Sequence, residues 1–159
     1  MRTTVKKRAN DMAEQPMKVL VVSDVHGRVT PLRWLLKNET ADAMFFLGDG
    51  LYDLNQAIAA NGAAPDYPIY RVRGNCDIGS DGHLCGVKSG YERIAEYAAD
   101  RGADLVLFGH THYKTLRHGT PFSPALFNPG SLRDTHSYGV ITITDGQCSF
   151  EWKQVPEQW

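Results

Sequence analysis

Six side chains of metal-ligating type follow four apolar runs of the sequence, and each run ends in Gly or Ser. The six residues are Asp24, His26, Asp49, Asn75, His110 and His112. Mixed oxygen and nitrogen ligands of this kind suit Mn, Fe, Ni, Co or Zn better than Ca or Mg. If the four runs bring these side chains to one point, the sequence encodes a metal site with enough ligands for two ions.

The spacing of the ligands suits a pair of ions. Asp24 and His26 lie two residues apart and can reach one ion, and His110 and His112 repeat that spacing. Asp49 can bridge two ions through its two carboxylate oxygens. Paired ions about 3.5 to 4 Å apart lower the pKa of a bridging water, stabilise charge on a phosphoryl oxygen and orient an in-line attack. The reaction indicated is phosphoester hydrolysis.

The four apolar runs predict the strands that position these ligands. They span residues 19–22, 43–47, 69–73 and 105–108, and all contain the Val, Leu, Ile or Phe typical of buried strands. Open α/β sheets bind their ligands at the carboxyl ends of the strands, so the six side chains are expected to converge. Each fragment taken singly is also typical of an ordinary turn. Repetition at four successive strand ends is what favours a site.

Capping signals predict three helices between these strands. Thr30 is expected to cap a helix that has Pro31 at its first position. A second helix is expected after Asp49, with Gly62 as its stop. Ser89 and Glu92 form a capping-box pattern that predicts the start of the third.

One domain is the simplest organisation for 159 residues. Residues 1–16 are charged and lack an apolar stretch, so we expect a flexible N-terminal tail, with a single domain over residues 17–159. Near the C-terminus, Asp145-Gly146 lies between two runs of strand-forming residues and predicts a β-hairpin.

Charge and cysteine content narrow the class of function. With 17 Lys and Arg against 18 Asp and Glu, the chain has no electrostatic support for general nucleic-acid or membrane binding, and a small phosphoester is the partner we expect. No run is long enough to span a membrane. The three cysteines, Cys76, Cys85 and Cys148, are scattered, which favours a reducing compartment and a cytoplasmic location.

Five ordered motifs resemble those of the calcineurin-like metallophosphoesterases, and in particular the small bacterial and archaeal phosphodiesterases. They are Ser23-Asp24-Val25-His26-Gly27, Gly48-Asp49, Gly74-Asn75-Cys76-Asp77, Gly109-His110-Thr111-His112 and Asn128-Pro129-Gly130-Ser131. The resemblance implies an α/β fold in which a two-sheet β-sandwich is flanked by helices. It also implies a metal-dependent phosphodiesterase.

The resemblance assigns roles to the ligands. It implies that Asp24, His26 and His112 hold one ion, that Asn75 and His110 hold the second, and that Asp49 bridges the two. The residues expected to take part in catalysis are Asp49, Asn75, Cys76 and His110. Manganese is the ion we expect in both positions, with Ni, Fe, Co and Zn as alternatives.

Cys76 is the first departure from the family pattern. Many members carry His at this position, where it is thought to assist departure of the leaving group, although Cys recurs in the small branch. A thiol is a weaker acid than an imidazolium ion, so substrates with good leaving groups should be favoured. The alternative is that Cys76 is only a small loop side chain.

The second departure is a shortened segment after Asp77. Family members have two strands here, followed by a His that binds the second ion, and the chain lacks the material for both strands. Asp81 stands in place of that His and His83 follows it, so either could substitute, or nothing does. We therefore expect a shortened second sheet, a second ion bound more weakly than the first, and an exposed sheet edge that favours a homodimer or lowers stability.

A different class of function stays open. Some proteins of this fold, such as a subunit of the eukaryotic retromer coat, act mainly as scaffolds for assembly. A chain lacking one ligand of the second ion could be a non-catalytic metal-binding or scaffold protein of the same fold. The six metal-type residues argue for the enzyme.

Overall fold

The computed structural model describes residues 15–74, 76–77 and 91–158. Its larger sheet has five strands in the order β3-β2-β1-β7-β8. The strands are β1 (Met17–Val22), β2 (Ala43–Phe46), β3 (Ile69–Arg71), β7 (Ser137–Thr144) and β8 (Gln147–Gln154). β1, β2 and β3 are parallel, while β7 runs antiparallel to both β1 and β8. The carboxyl ends of the first three strands therefore meet at one edge.

The smaller sheet has three strands within the described part of the chain, in the order β4-β6-β5. They are β4 (Leu105–Leu107), β5 (Thr115–Arg117) and β6 (Ala125–Asn128). β6 lies between a parallel β4 and an antiparallel β5. Two sheets flanked by helices confirm the expected fold, with a second sheet smaller than the first.

The central strand β1 is buried on both faces because it lies between two layers. Leu20 and Val22 pack into one core together with the helices on the outer face. Val19 and Val21 alternate with them and pack against Phe127 of the smaller sheet. Successive side chains of a strand point to opposite faces, so the continuous apolar run of β1 serves both cores.

Helices α1 (Val29–Asn38) and α2 (Leu51–Asn61) cover the outer face of the larger sheet. The predicted cap at Thr30 is wrong, because the helix begins at Val29, two residues before the predicted start at Pro31, with Arg28 at the cap position and no side-chain cap bond. Pro31 is accommodated in the first turn, where a backbone N–H has no helical partner to lose. The predicted stop at Gly62 is confirmed by its left-handed φ of 82°.

Helix α3 (Glu92–Ala99) packs on the smaller sheet. Its Ala95 lies in a cluster with Phe108 and Leu126. The helix begins at Glu92, with Tyr91 at the cap position. The predicted capping residue Ser89 lies outside the described residues, as do Asp81 and His83 of the shortened segment.

The β7–β8 hairpin is confirmed. Asp145 and Gly146 form its two-residue turn, with φ of 49° and 75°, and Thr144 pairs with Gln147. Left-handed φ at both central residues is what the twist of a tight hairpin requires. A short helix, α4 (Leu132–Thr135), precedes β7. In the described part of the chain, no helix has the length and apolarity to cross a membrane.

Candidate metal centre

Asp24 and Asp49 lie in adjacent loops because β1 and β2 are parallel neighbours. Asp24 follows the end of β1 by two residues, and Asp49 follows the end of β2 by three. Backbone hydrogen bonds join the two loops: the Asp24 N–H donates to the Gly48 carbonyl over 3.3 Å, and the Val25 N–H donates to the Asp49 carbonyl over 3.0 Å. The loops are thus held together independently of their side chains.

Three of the predicted ligands form a compact group. The ligand atoms of Asp24, His26 and His112 all lie within 4.8 Å of one another. Asp24 Oδ1 is 3.7 Å from His26 Nε2 and 3.4 Å from His112 Nε2, and the two Nε2 atoms are 3.2 Å apart. Residues 86 positions apart in the sequence therefore direct one carboxylate and two imidazole nitrogens to one point.

The surroundings of Asp24 fit a bound cation. Its carboxylate is buried and accepts hydrogen bonds from Ser23 Oγ, at 2.8 Å, and from the His110 backbone N–H, at 3.0 Å. Burial raises the pKa of Asp24, although the Ser23 hydrogen bond and the nearby His112 oppose the rise. A carboxylate in this position needs positive charge beside it, and a divalent ion between Asp24, His26 and His112 would supply that charge.

Asp49 joins a second group of ligand atoms with His26 and Cys76, again within 4.8 Å of one another. One carboxylate oxygen, Oδ2, is 3.9 Å from His26 Nε2. The other, Oδ1, accepts a 2.7 Å hydrogen bond from the Cys76 backbone N–H. The two oxygens of Asp49 thus face different neighbours, and its role as a bridge between two ions stays a prediction.

Cys76 lies beside acidic groups. Although Cys76 is exposed, partial desolvation raises the pKa of its thiol, and the neighbouring Asp49 raises it further by charge and by hydrogen bonding. The side chain therefore stays a neutral thiol at neutral pH unless a cation is bound nearby.

The structure gives less support for the two residues assigned to a second ion. The backbone N–H of His110 donates to Asp24. Two groups of three possible ligands occur among residues 15–74, 76–77 and 91–158, and the His110 side chain belongs to neither. Asn75 lies outside the described residues. The structure brings together Asp24, His26, Asp49 and His112, and the assignments of Asn75 and His110 stay predictions.

Asp77 organises the loops of the site, a role that the sequence reasoning missed. Its carboxylate accepts four backbone hydrogen bonds of 2.8–2.9 Å, from the N–H groups of Asp49, Gly50, Leu51 and Gly74. Burial alone would raise the pKa of Asp77, but these four donors outweigh it and lower that pKa. The signal available was an Asp in the turn Gly-Asn-Cys-Asp, since Asp side chains commonly bond nearby backbone N–H groups.

Two glycines allow the loops to approach closely. A Cβ at Gly74 would overlap the Asp49 carboxylate, and a Cβ at Gly109 would overlap Ser23 Oγ. These contacts explain why a Gly precedes Asn75 and His110 in the sequence. The requirement comes from space around the site, since neither glycine has a left-handed φ.

The segment Asn128–Ser131 supports the site from the smaller sheet. Asn128 Nδ2 donates to Thr111 Oγ1 over 3.0 Å and to the Gly109 carbonyl over 3.3 Å, fixing the loop that carries His110 and His112. Ser131 Oγ donates to the Asp24 carbonyl over 3.1 Å. The segment therefore ties the loops of both sheets together.

All five candidate ligands in the described part of the chain have left-handed backbone conformations. Their φ angles are 57° for Asp24, 42° for His26, 56° for Asp49, 70° for His110 and 64° for His112. Such conformations are rare for residues with side chains and cost of order 1 kcal/mol or more each. They persist only where surrounding contacts enforce them, and their clustering at one edge marks a functional site.

Asp134 is a further residue that the sequence reasoning missed. Its Oδ2 lies 2.5 Å from His112 Nδ1, on the side of the ring opposite Asp24. The hydrogen bond from His112 is the main cause that lowers the pKa of Asp134. The sequence contained one signal, the capping pattern Ser131-x-x-Asp134, but the pattern gives no indication of a contact with His112.

Comparison with known proteins agrees with this geometry. Residues 17–93 match the model of the calcineurin-like phosphoesterase family. The probable metallophosphoesterase YsnB of Bacillus subtilis is 30% identical in an alignment 155 positions long, which covers 80% of this chain and 85% of the relative.

Several solved structures share the fold. A predicted phosphoesterase from Streptococcus pneumoniae superposes with a TM-score of 0.66 at 20% identity, over 92% of this chain and 96% of that protein. An archaeal phosphodiesterase gives 0.60 at 18% identity, over 86% and 99%. A zinc complex of Vps29 from Entamoeba histolytica gives 0.52 at 18% identity, over 88% and 100%. The sequence matches, together with the gathered ligands, show that this chain belongs to the calcineurin-like phosphoesterase family of metal-dependent hydrolases.

Proposed function

We propose that this protein is a phosphodiesterase with a dinuclear centre, expected to hold manganese, that activates water for attack on phosphorus. The observation that carries the proposal is the convergence of Asp24, His26, His112 and Asp49. The archaeal phosphodiesterase of the same fold supports the choice of a diester.

The residues have distinct roles in this proposal. Asp24, His26 and His112 hold the first ion, Asp49 bridges, and Asn75 and His110 complete the second position. When bound, the ions polarise a phosphoryl oxygen and lower the pKa of the attacking water. The protein keeps the ligands in place through the hydrogen bonds to Asp24 and through the Asp77 carboxylate, which fixes the backbone of Asp49.

The Cys76 thiol lies beside Asp49, close to where the phosphoester would react. Because a thiol is a weaker acid than an imidazolium ion, Cys76 is a weak proton donor to a departing alkoxide. The site is therefore better suited to a leaving group that departs without a proton, such as an aryl oxide.

Hydrolysis of bis-p-nitrophenyl phosphate tests the proposal. We expect turnover to increase with added Mn, to be lost with excess chelator and to return when Mn is restored. The metal content of the purified protein should be measured on the same sample. Turnover that is unaffected by chelator, in a sample shown to be free of metal, would exclude the proposed mechanism.

The leaving group should control the rate. We expect kcat/KM for aryl phosphomonoesters to exceed that for alkyl phosphomonoesters by at least about tenfold, because general acid assistance is typically worth roughly 10²–10⁴-fold and Cys76 supplies little of it. Cys76→His should raise the alkyl rate more than the aryl rate. Equal aryl and alkyl rates in the parent protein would contradict this role for Cys76.

A scaffold without turnover is the second candidate. Two observations favour it. In the described part of the chain the His110 side chain belongs to no group of three possible ligands, and the fold is shared with zinc-bound Vps29. Mn binding in calorimetry, combined with no hydrolysis of aryl diesters or monoesters at saturating Mn, would favour the scaffold over the enzyme.

A further inference from the structure

His112 is held at both ends of its ring. Nε2 faces the first-ion position, at 3.4 Å from Asp24 Oδ1 and 3.2 Å from His26 Nε2. Nδ1 faces away from it and lies 2.5 Å from Asp134 Oδ2. An ionised carboxylate only accepts hydrogen bonds, so in this pair His112 Nδ1 is the donor and carries a proton.

We infer that Asp134 is a positioning residue for the metal centre. By accepting the Nδ1 proton it fixes the tautomer of His112 that leaves Nε2 unprotonated, and it holds the ring with that nitrogen at the ion position. Neutral imidazole binds a metal through its unprotonated nitrogen, and the hydrogen bond at the other nitrogen decides which one that is. The inference deepens the proposed function, and it rests only on the part concerning the first ion.

Asp134 is itself fixed by the segment that holds Asp24. The Asp134 N–H donates to Ser131 Oγ over 3.1 Å, and the same hydroxyl donates to the Asp24 carbonyl over 3.1 Å. The Arg133 N–H also donates to the Asp24 carbonyl over 3.1 Å. Two ligands of the first ion, Asp24 and His112, are therefore positioned by one turn of chain.

An ordinary ion pair near the surface is the alternative explanation. The side chains of His112 and Asp134 are 30% and 46% exposed, and a pair with such exposure contributes little to stability. The two explanations differ in what they predict for metal binding: a surface pair would leave it unchanged, whereas a positioning residue should alter it.

The test compares Asp134→Ala and Asp134→Glu with the parent protein. Because the capping bond to Ser131 comes from the backbone, Asp134→Ala retains it. Calorimetric titration with Mn alone should show the tighter ion bound roughly 10- to 100-fold more weakly in Asp134→Ala, with partial recovery in Asp134→Glu. Asp100→Ala, which removes an exposed carboxylate at the cap of α3, is the matched control and should leave the affinity unchanged.

A second measurement reads the tautomer directly on metal-free protein. Nitrogen-15 NMR of the His112 ring in alkaline buffer should show the proton on Nδ1 in the parent protein and a shift of population toward Nε2 in Asp134→Ala. The inference is overturned if the parent ring carries its proton on Nε2, if the tautomer does not respond to Asp134→Ala, or if the Mn affinity of that variant equals that of the parent. A parent protein that binds no Mn would refute the proposed function, while the tautomer would still decide whether Asp134 orients His112.

Discussion

Asp49→Ala should lower kcat/KM for bis-p-nitrophenyl phosphate by about 10³-fold or more. Asp49 is the carboxylate proposed to bridge the two ions, and it has Oδ2 near His26 and Oδ1 held by the Cys76 N–H. Losing a bridging ligand removes the charge stabilisation of the ions, which is worth several kcal/mol, and each 1.36 kcal/mol is a factor of ten in rate. Steady-state kinetics at saturating Mn measures the loss.

Asp49→Asn separates charge from shape. The amide keeps the size of the side chain and an oxygen that can accept the Cys76 N–H, so the loops should remain folded while the negative charge is lost. We expect Asn to be nearly as damaging to activity as Ala, and Asp100→Ala to retain parental activity. Near-parental turnover in Asp49→Asn, still sensitive to chelator, would rule out a bridging carboxylate.

The sequence predicted the architecture of the site because strand ends are a local signal. The apolar runs before Asp24 and Asp49 form parallel neighbouring strands, so convergence of their loops follows from sheet geometry alone. His112 comes from the smaller sheet, and its contact with His26 depends on how two sheets pack. No local pattern encodes how two sheets pack, although the strand-end pattern and the motif resemblance both placed His112 at the site.

The supporting residues could not be predicted for the same reason. Asp134 reaches His112 from 22 positions away, and nothing in its own segment points to that partner. Asp77 was visible in a turn motif, but its bonds to the Gly50 and Leu51 N–H groups depend on the approach of a loop 26 residues or more earlier in the chain. Thr30 is not the cap, because α1 begins at Val29 and Thr30 lies inside its first turn.

The left-handed backbone conformations of the ligands could not be predicted from residue types either. Asp and His adopt left-handed φ more readily than most residues, but a sequence gives no reason to expect it at five ligand positions. The conformations are enforced from outside, by the bonds of Asn128 to the His110–His112 loop and by those of Asp77 to the Asp49 loop. The site therefore depends on a carboxylate acceptor, Asp77, and an amide donor, Asn128, that lie outside the predicted ligand set.

Asp77→Ala should lower the free energy of unfolding by about 3 kcal/mol. The change leaves the N–H groups of Asp49, Gly50, Leu51 and Gly74 without their charged acceptor, and a hydrogen bond to a charged group contributes roughly 1.5–3 kcal/mol, with water replacing part of it here. For a chain of this size the melting temperature should fall by roughly 6–12 °C. Urea unfolding of metal-free protein measures the effect without a contribution from bound ions.

The loss of stability caused by Asp77→Ala should also depend on pH. The four donors hold the pKa of Asp77 below its ordinary value, so its ionised form stabilises the folded state at neutral pH. That stabilisation is fully present above the ordinary Asp pKa of about 3.9 and is lost as pH falls through the lower folded value. The difference in unfolding free energy between parent and Asp77→Ala should therefore be constant near neutrality and shrink below about pH 4.

Asp77→Asn, which keeps one acceptor oxygen, should have a stability between those of the parent and Asp77→Ala, and Asp100→Ala should match the parent. If Asp77→Ala unfolds within about 0.5 kcal/mol of the parent at neutral pH, the range usual for surface substitutions, then the four hydrogen bonds do not hold the loops of the site together.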